Sequence, residues 1–404
     1  MLDLTIEAAE RGLQAVDESD RHLVASGTFD DLAKIVDYDW ICEAIVEDLA
    51  LKQQLFAKLE PLRKDGSVIS SNTSGIPLRD IAAGMPSRFQ ADVAITHFFN
   101  PVRVMKLFEL VPGEHTTPDV IEAFANFGSA RLDKGVVHAK DTVNFIGNRI
   151  GCYFMLSGLH LAKPFLEAGM TQETINALFG KPIGLPPTGL YGLIDLIGLD
   201  VMDLVGQNLA VNLPAGDAGL AYTSFPAAEQ RMLERGQLGR KAGALGGFGR
   251  VQKLADGSRH AETFDLVTEQ LRDARDPDFG AVASDVLAEL GEVMFDNSAY
   301  GQLVWQIFGG TLRYAADLVP EIADDIVNID NAIRWGFNWV NGPFEMLDAI
   351  GPARVIAKIR AEGAELPAML QVLADSGSAT FYQSSPTGER QYLGRDGVWR
   401  PQPN

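Results

Sequence analysis

Between residues 22 and 139 the chain alternates short β-rich runs with helical stretches, and no other feature of the sequence restricts the fold as strongly. Residues 22–28 read as a strand and 30–36 as a short helix. WICEAIV at 40–46 is a continuous apolar run of strand length, and 49–62 has helical periodicity. SVISSN at 67–72 is a strand, 77–83 a short helix and 91–99 another strand. Two more strands, 107–111 and 135–139, flank a helix at 118–132. Alternation of this kind implies βαβ units and a mainly parallel sheet.

Near residue 142 the pattern changes and the chain becomes mostly helical. Residues 148–168 form a long helix, apolar on one face, and Thr171 is placed to cap a helix over 171–179. GQLGRKAGALGGFGR covers 236–250, followed by a polar stretch of low periodicity to about residue 278. Helical character returns until about 375, and the last residues are polar with Gly and Pro. One internal repeat stands out: 167–198 and 321–351 each place a Glu, an apolar helix, a Gly/Pro turn and a helix ending x-L/I-D-x-I-G. Glu167 and Asp195 are 28 residues apart, Glu321 and Asp348 27. The expected organisation is therefore a sheet domain (1–141), a first helical domain (142–255), a linker (256–278), a second, related helical domain (279–380) and a tail (381–404).

Composition excludes several functions. A net charge of −20 argues against a nucleic-acid binder, which needs a basic face. No apolar run reaches the ~18 residues needed to span a bilayer, and the acidic N-terminus lacks the basic start and apolar stretch of a secretory signal. Two cysteines, both in apolar runs, imply no disulfide framework and a reducing cytoplasm. No metal site is expected.

Chemistry concentrates in 70–111. Ser71, Asn72, Thr73 and Ser74 gather small hydrogen-bonding side chains at the C-terminal end of an expected strand, where open α/β sheets bind ligands. His97 lies near the end of the next strand, before Phe98-Phe99-Asn100-Pro101, and Glu109 follows in a returning strand. A His paired with a carboxylate is a natural general base at neutral pH. A lone His after a strand is more often a satisfied core residue, and a run of small polar residues is often an ordinary turn.

In combination SNTS, HFFNP, VMKLxE and DTxxFIxNR resemble the 3-hydroxyacyl-CoA dehydrogenase family, over residues from about 22 to 380. The likeness is to the long bacterial form, in which two helical copies precede an enoyl-CoA hydratase domain. The resemblance implies an incomplete Rossmann-type domain followed by two related helical domains. It implies oxidation of (3S)-3-hydroxyacyl-CoA to 3-oxoacyl-CoA in fatty acid β-oxidation, with NAD as cofactor and acyl-CoA as substrate. A hydratase domain or chain is an implied partner, and a homodimer is left open. His97 would be the general base, Glu109 its partner, Ser74 a hydrogen-bond donor to the substrate oxygen, and Asn148 a holder of the substrate carbonyl or of His97. Glu47, Lys52, Ser74, Asn100 and Lys241 would line the cofactor.

The sequence departs from that family in three places. No strand with a GxGxxG turn precedes residue 22, and the glycines of 236–250 neither follow a strand nor open a helix. That segment ends Gly247-Phe248-Gly249 where Gly-Phe-Tyr is usual, after an apparent insertion, and Asn144 stands where Gly is common. Without the glycine turn the chain as written is expected to bind NAD weakly, with 40–46 at a sheet edge or paired with 22–28. A non-catalytic piece of a split multifunctional protein is the second reading. A dehydrogenase of free β-hydroxy acids is a third, disfavoured by the His–Glu pair.

Overall fold

Five strands form the sheet of the first domain: β1 (Trp40–Glu43), β2 (Val68–Ser71), β3 (Val93–Phe98), β4 (Leu107–Pro112) and β5 (Gly135–His138), in that spatial order. The protein is described here by a computed structural model, over residues 29–254 and 256–403. Strands β1, β2 and β3 run parallel, β3 and β4 antiparallel, and β4 and β5 parallel. The reversal follows from the link 99–106, which is too short for the dozen or more residues a parallel crossover needs. Helix α1 (Leu49–Leu59) joins β1 to β2, and α2 (Pro118–Leu132) joins β4 to β5. Among the described residues β1 pairs only with β2, so there it is an edge strand. The strand expected at 22–28 lies outside the described residues.

Alternation along the strands sends successive side chains to opposite faces. Ala94, Phe108 and Leu110 meet Val120 and Phe124 of α2 on one face. Ile69, Val93, Ile95, Leu107 and Val111 face the other way, into the core shared with the helical part. His97 and Glu109 belong to this second set by parity, so the helical part covers them.

Helix α3 (Gly147–Glu167) begins the helical part and is buried along most of its length. Next come α4 (Gln172–Leu178), α5 (Gly189–Ile197) and α6 (Leu199–Asn212). Thr171 caps α4 by accepting the Thr174 N–H, the role its position suggests. Strands β6 (Gly249–Lys253), β7 (Arg259–Asp265) and β8 (Gln270–Asp273) then form an antiparallel meander. After a further helical stretch come α7 (Ile326–Phe337), α8 (Pro343–Ile350) and α9 (Pro352–Ala361). Strands β9 (Tyr382–Ser384), β10 (Arg390–Leu393) and β11 (Trp399–Pro401) form a second meander.

The same set of hydrogen bonds occurs in the two halves. Asp195 of α5 accepts the N–H groups of Phe248 and Gly249, both at 2.9 Å. Asp348 of α8 accepts those of Phe381 and Tyr382, at 2.7 and 2.9 Å. Asn176 of α4 accepts the Tyr191 N–H at 2.7 Å, and Asp330 of α7 accepts the Phe344 N–H at 2.8 Å. The same bonds thus recur at the two stretches that repeat in the sequence, and in each they reach the start of a meander. Residues 256–278 and 381–404, expected as linker and tail, hold β7–β8 and β9–β11. These strands are short and largely exposed, with Arg, Glu and Gln on their outer positions, which reads as loop in composition.

The second copy is locked to the rest. The Arg149 guanidinium, on the first turn of α3, is buried against the Tyr314 hydroxyl (2.6 Å), Asp217 (2.5 Å) and Glu321 (2.9 Å). His138 at the end of β5 donates its backbone N–H to Asn328 Oδ1 at 2.8 Å. Gly135 lies so near the Trp335 ring that an added Cβ would sit 2.3 Å from it.

Candidate active site

Strand pairing builds the first element of the site. His97 and Glu109 are direct partners in the β3–β4 register. Their side chains meet on the covered face, His97 Nδ1 to Glu109 Oε2 at 2.7 Å. Glu109 is fully buried and His97 is 5% exposed. The other Glu109 oxygen accepts the backbone N–H groups of Ile146 (3.0 Å) and Gly147 (2.8 Å), at the N-terminus of α3. Orphan N–H groups and the positive end of the helix dipole suit a carboxylate. With the carboxylate accepting, Nδ1 carries the imidazole proton and Nε2 keeps its lone pair. The rings of Phe99 and Phe145 flank the imidazole at 4.9 and 5.7 Å between centroids. Phe99 in turn meets Phe337 of α7 at 5.8 Å.

The SNTS turn is the second element. Asn72 Oδ1 accepts the Phe98 N–H (3.0 Å) and so ties the end of β2 to the residue after His97. Glu47 accepts from the Thr73 hydroxyl (2.5 Å) and from the Ser74 and Gly75 N–H groups (both 3.1 Å). Ser74 Oγ and the Asn148 amide have no hydrogen-bond partner among the described residues and are accessible in part. Asn148 follows directly the residue that binds Glu109. Gly75 packs on Asn144, whose Oδ1 would lie 2.8 Å from an added Cβ. Asn144 has φ 59°, a left-handed conformation that favours Gly but that Asn tolerates.

The other residues singled out in the sequence divide. Lys52 is 1% exposed, its ammonium 2.8 Å from Glu43 and 3.4 Å from Glu47. It acts on the strand ends by holding Glu47, which fixes the turn carrying Ser74. Asn100 is exposed just beyond β3. Lys241 pairs with Asp200 at 2.5 Å, at the start of α6, and none of its contacts reaches the strand ends. Sequence reasoning passed over Glu43, buried at the end of β1, which also accepts from the Ser71 hydroxyl (2.5 Å) and the Ile45 N–H (2.6 Å). The signal was present: an acidic residue inside the apolar run at 40–46.

Comparison with known proteins decides the family. The model for the NAD-binding domain of 3-hydroxyacyl-CoA dehydrogenase matches residues 3–142, and the model for its C-terminal domain matches 145–247. A Mycobacterium tuberculosis 3-hydroxybutyryl-CoA dehydrogenase is 34% identical over 230 residues, 56% of this chain and 76% of that protein. The chain belongs to the 3-hydroxyacyl-CoA dehydrogenase family. The family model matched by residues 3–142 is that of an NAD-binding domain, so NAD is the cofactor that membership indicates. A Bacillus subtilis relative, provisionally named a 3-hydroxyacyl-CoA dehydrogenase, is 38% identical over 355 residues. That match covers 87% of this chain and 44% of the relative, so the chain spans less than half of that protein's length. The solved 3-hydroxybutyryl-CoA dehydrogenase of Escherichia coli K12 has the same fold, with a TM-score of 0.65 at 23% identity over 93% of this chain and 90% of that one. No helix among the described residues is long and apolar enough to cross a membrane.

Proposed function

We propose that the protein oxidises a (3S)-3-hydroxyacyl-CoA to the 3-oxoacyl-CoA with NAD, and that His97 is the general base. The carrying observation is the His97–Glu109 pair, held by the N-terminus of α3 with Nε2 left free. NAD, when bound, supplies the hydride acceptor. The residues at the carboxyl ends of β1–β3 suit its nicotinamide side: Ser74 Oγ and Asn148 offer unpartnered polar groups beside the His97 strand end, and Glu47 fixes the turn carrying Ser74. None of the described loops at these strand ends carries a three-glycine phosphate turn.

On this reading His97 Nε2 takes the proton of the 3-hydroxyl as the C3 hydrogen departs with its electron pair, so that a C=O replaces the C–OH. Glu109 keeps the imidazole in the right tautomer and compensates the imidazolium that forms. Ser74 and Asn148 orient the substrate oxygens. Phe99 and Phe145 exclude water from one side of the imidazole. A role in fatty acid β-oxidation, cytoplasmic placement and a neighbouring enoyl-CoA hydratase belong to the same proposal. The role in fatty acid oxidation is supported by a Rickettsia felis relative provisionally named a fatty acid oxidation complex trifunctional enzyme, 35% identical over 320 residues.

The test is His97→Gln, with NADH formation from 3-hydroxybutyryl-CoA and NADH binding followed by fluorescence. Turnover should fall by a factor of about 10² to 10⁴, the contribution of a general base, with NADH binding retained. A variant that turns over like the parent would remove His97 from the chemistry.

A further inference from the structure

The two helical copies differ most at one spot. With Asp195 matched to Asp348 and Tyr191 to Phe344, Gly192 corresponds to Glu345. With Phe248 matched to Phe381, Gly249 corresponds to Tyr382. Strand pairing extends the match: Val251 pairs with Ala261 as Ser384 pairs with Arg390, so Ala261 corresponds to Arg390. In the second copy these three large residues fill one place together. The Tyr382 hydroxyl donates to Asp330 Oδ2 at 2.7 Å. The Arg390 guanidinium lies 4.7 Å from the centre of the Tyr382 ring and 2.7 Å from Glu345. In the first copy Gly, Ala and Gly stand instead.

The consequence is a cavity of about 740 Å³ between α4, α5 and the β6–β7 hairpin, lined by Gly192, Gly249 and Ala261 among others. A Cβ added at Gly192 or Gly249 would meet nothing nearer than 3.8 Å. Its walls carry unused hydrogen-bonding capacity. Gln172, 4% exposed, has an Nε2 without a partner. Asn176 stands where Asp330 receives the Tyr382 hydroxyl; its Oδ1 is taken by Tyr191 N–H, and its Nδ2 has no partner among the described residues. Arg240 on the wall makes no hydrogen bond among the described residues and lies within electrostatic reach of the Asp195 carboxylate, whose oxygens are already taken by the Phe248 and Gly249 N–H groups. Phe248 and Tyr191, 4.9 Å apart, supply an aromatic wall.

We infer that this cavity is a binding site for a small free aromatic molecule bearing a hydroxyl or carboxylate, which takes the place that Tyr382 fills in the second copy. A planar ring matches the space vacated by tyrosine and can lie along the Phe248–Tyr191 wall. The polar substituent matches the free amide donors of Gln172 and Asn176, and a carboxylate gains Arg240 in addition. The site lies in the first helical domain, away from the His97–Glu109 pair, and does not depend on the reaction proposed above.

The experiment is calorimetric titration of the full chain with p-cresol, 4-hydroxyphenylacetate and, as a non-planar control, 4-methylcyclohexanol. Both aromatics should bind saturably and the control should not, with 4-hydroxyphenylacetate tighter than p-cresol until Arg240→Ala removes the difference. Gly249→Tyr, which restores the residue of the second copy, should weaken both by at least about tenfold, a loss of ~1.4 kcal/mol, and raise Tm. Ala261→Arg provides the same test should Gly249→Tyr fail to fold. Absence of saturable binding to the parent chain, or equal binding by either filled variant, would overturn the inference. Tighter binding of a tyrosine-containing peptide than of 4-hydroxyphenylacetate would overturn the small-molecule assignment.

Discussion

Glu109→Gln separates the geometry of the His97 pair from its charge. The carboxylate faces two kinds of donor: His97 on Oε2, and the Ile146 and Gly147 N–H groups on Oε1. A glutamine has one acceptor and one donor end, so it can serve only one side. If its carbonyl stays on the helix terminus, its amide points at Nδ1. The imidazole must then shift its proton to Nε2 and lose the lone pair that takes the substrate proton. If the carbonyl turns to His97, the amide confronts two buried N–H donors, each costing ~1–3 kcal/mol when left unpaired. The first arrangement is cheaper and disables the base. Loss of base catalysis is worth a factor of about 10² to 10⁴, or ~3–5 kcal/mol in the barrier. Initial rates of NADH formation at saturating 3-hydroxyacyl-CoA, with a thermal melt of the same sample, measure both outcomes. A folded variant whose kcat stays within the parent's order of magnitude would refute the tautomer argument.

Two further outcomes follow from the packing. Burial pushes the Glu229 carboxyl up from its ordinary 4.5 to about 7, and no side chain among the described residues bonds it. The folded protein then holds this proton more tightly than the unfolded chain, so stability is lost as pH rises from about 4.5 to about 7, by up to ~3 kcal/mol. Glu229→Gln should therefore raise Tm more at pH 8 than at pH 5; equal changes at the two values would contradict it. Gly135→Ala places a methyl against the Trp335 ring and should cost ~1–3 kcal/mol by overpacking, read as a lower denaturant midpoint, and an unchanged midpoint would show that the contact yields freely.

Much of this was legible in the chain. The run of α3 was readable to within a residue or so at each end because its apolar face is continuous, and Thr171 announced its cap. His97 and Glu109 were visible as residues of a strand and a returning strand, their pairing was implied by the family resemblance, and the strand register makes them direct partners. The meanders were not legible, since short strands with polar exposed faces lack the alternation that marks a half-buried sheet. The partners of Lys52 were not legible, since only the fold brings Glu43 to it. The Gly-Phe-Gly ending looked like a loop anomaly. It needs the second copy in space to be recognised as a vacated tyrosine position.

The first turn of α3 fastens two things that are far apart in the chain. Its leading N–H groups grip the Glu109 carboxylate, and Arg149, two residues later, grips Asp217, Tyr314 and Glu321. The helix is thus an axle with both the sheet and the second copy mounted at one end. A substitution at Glu321 would therefore loosen a guanidinium that sits only two residues from the N–H group holding the Glu109 carboxylate.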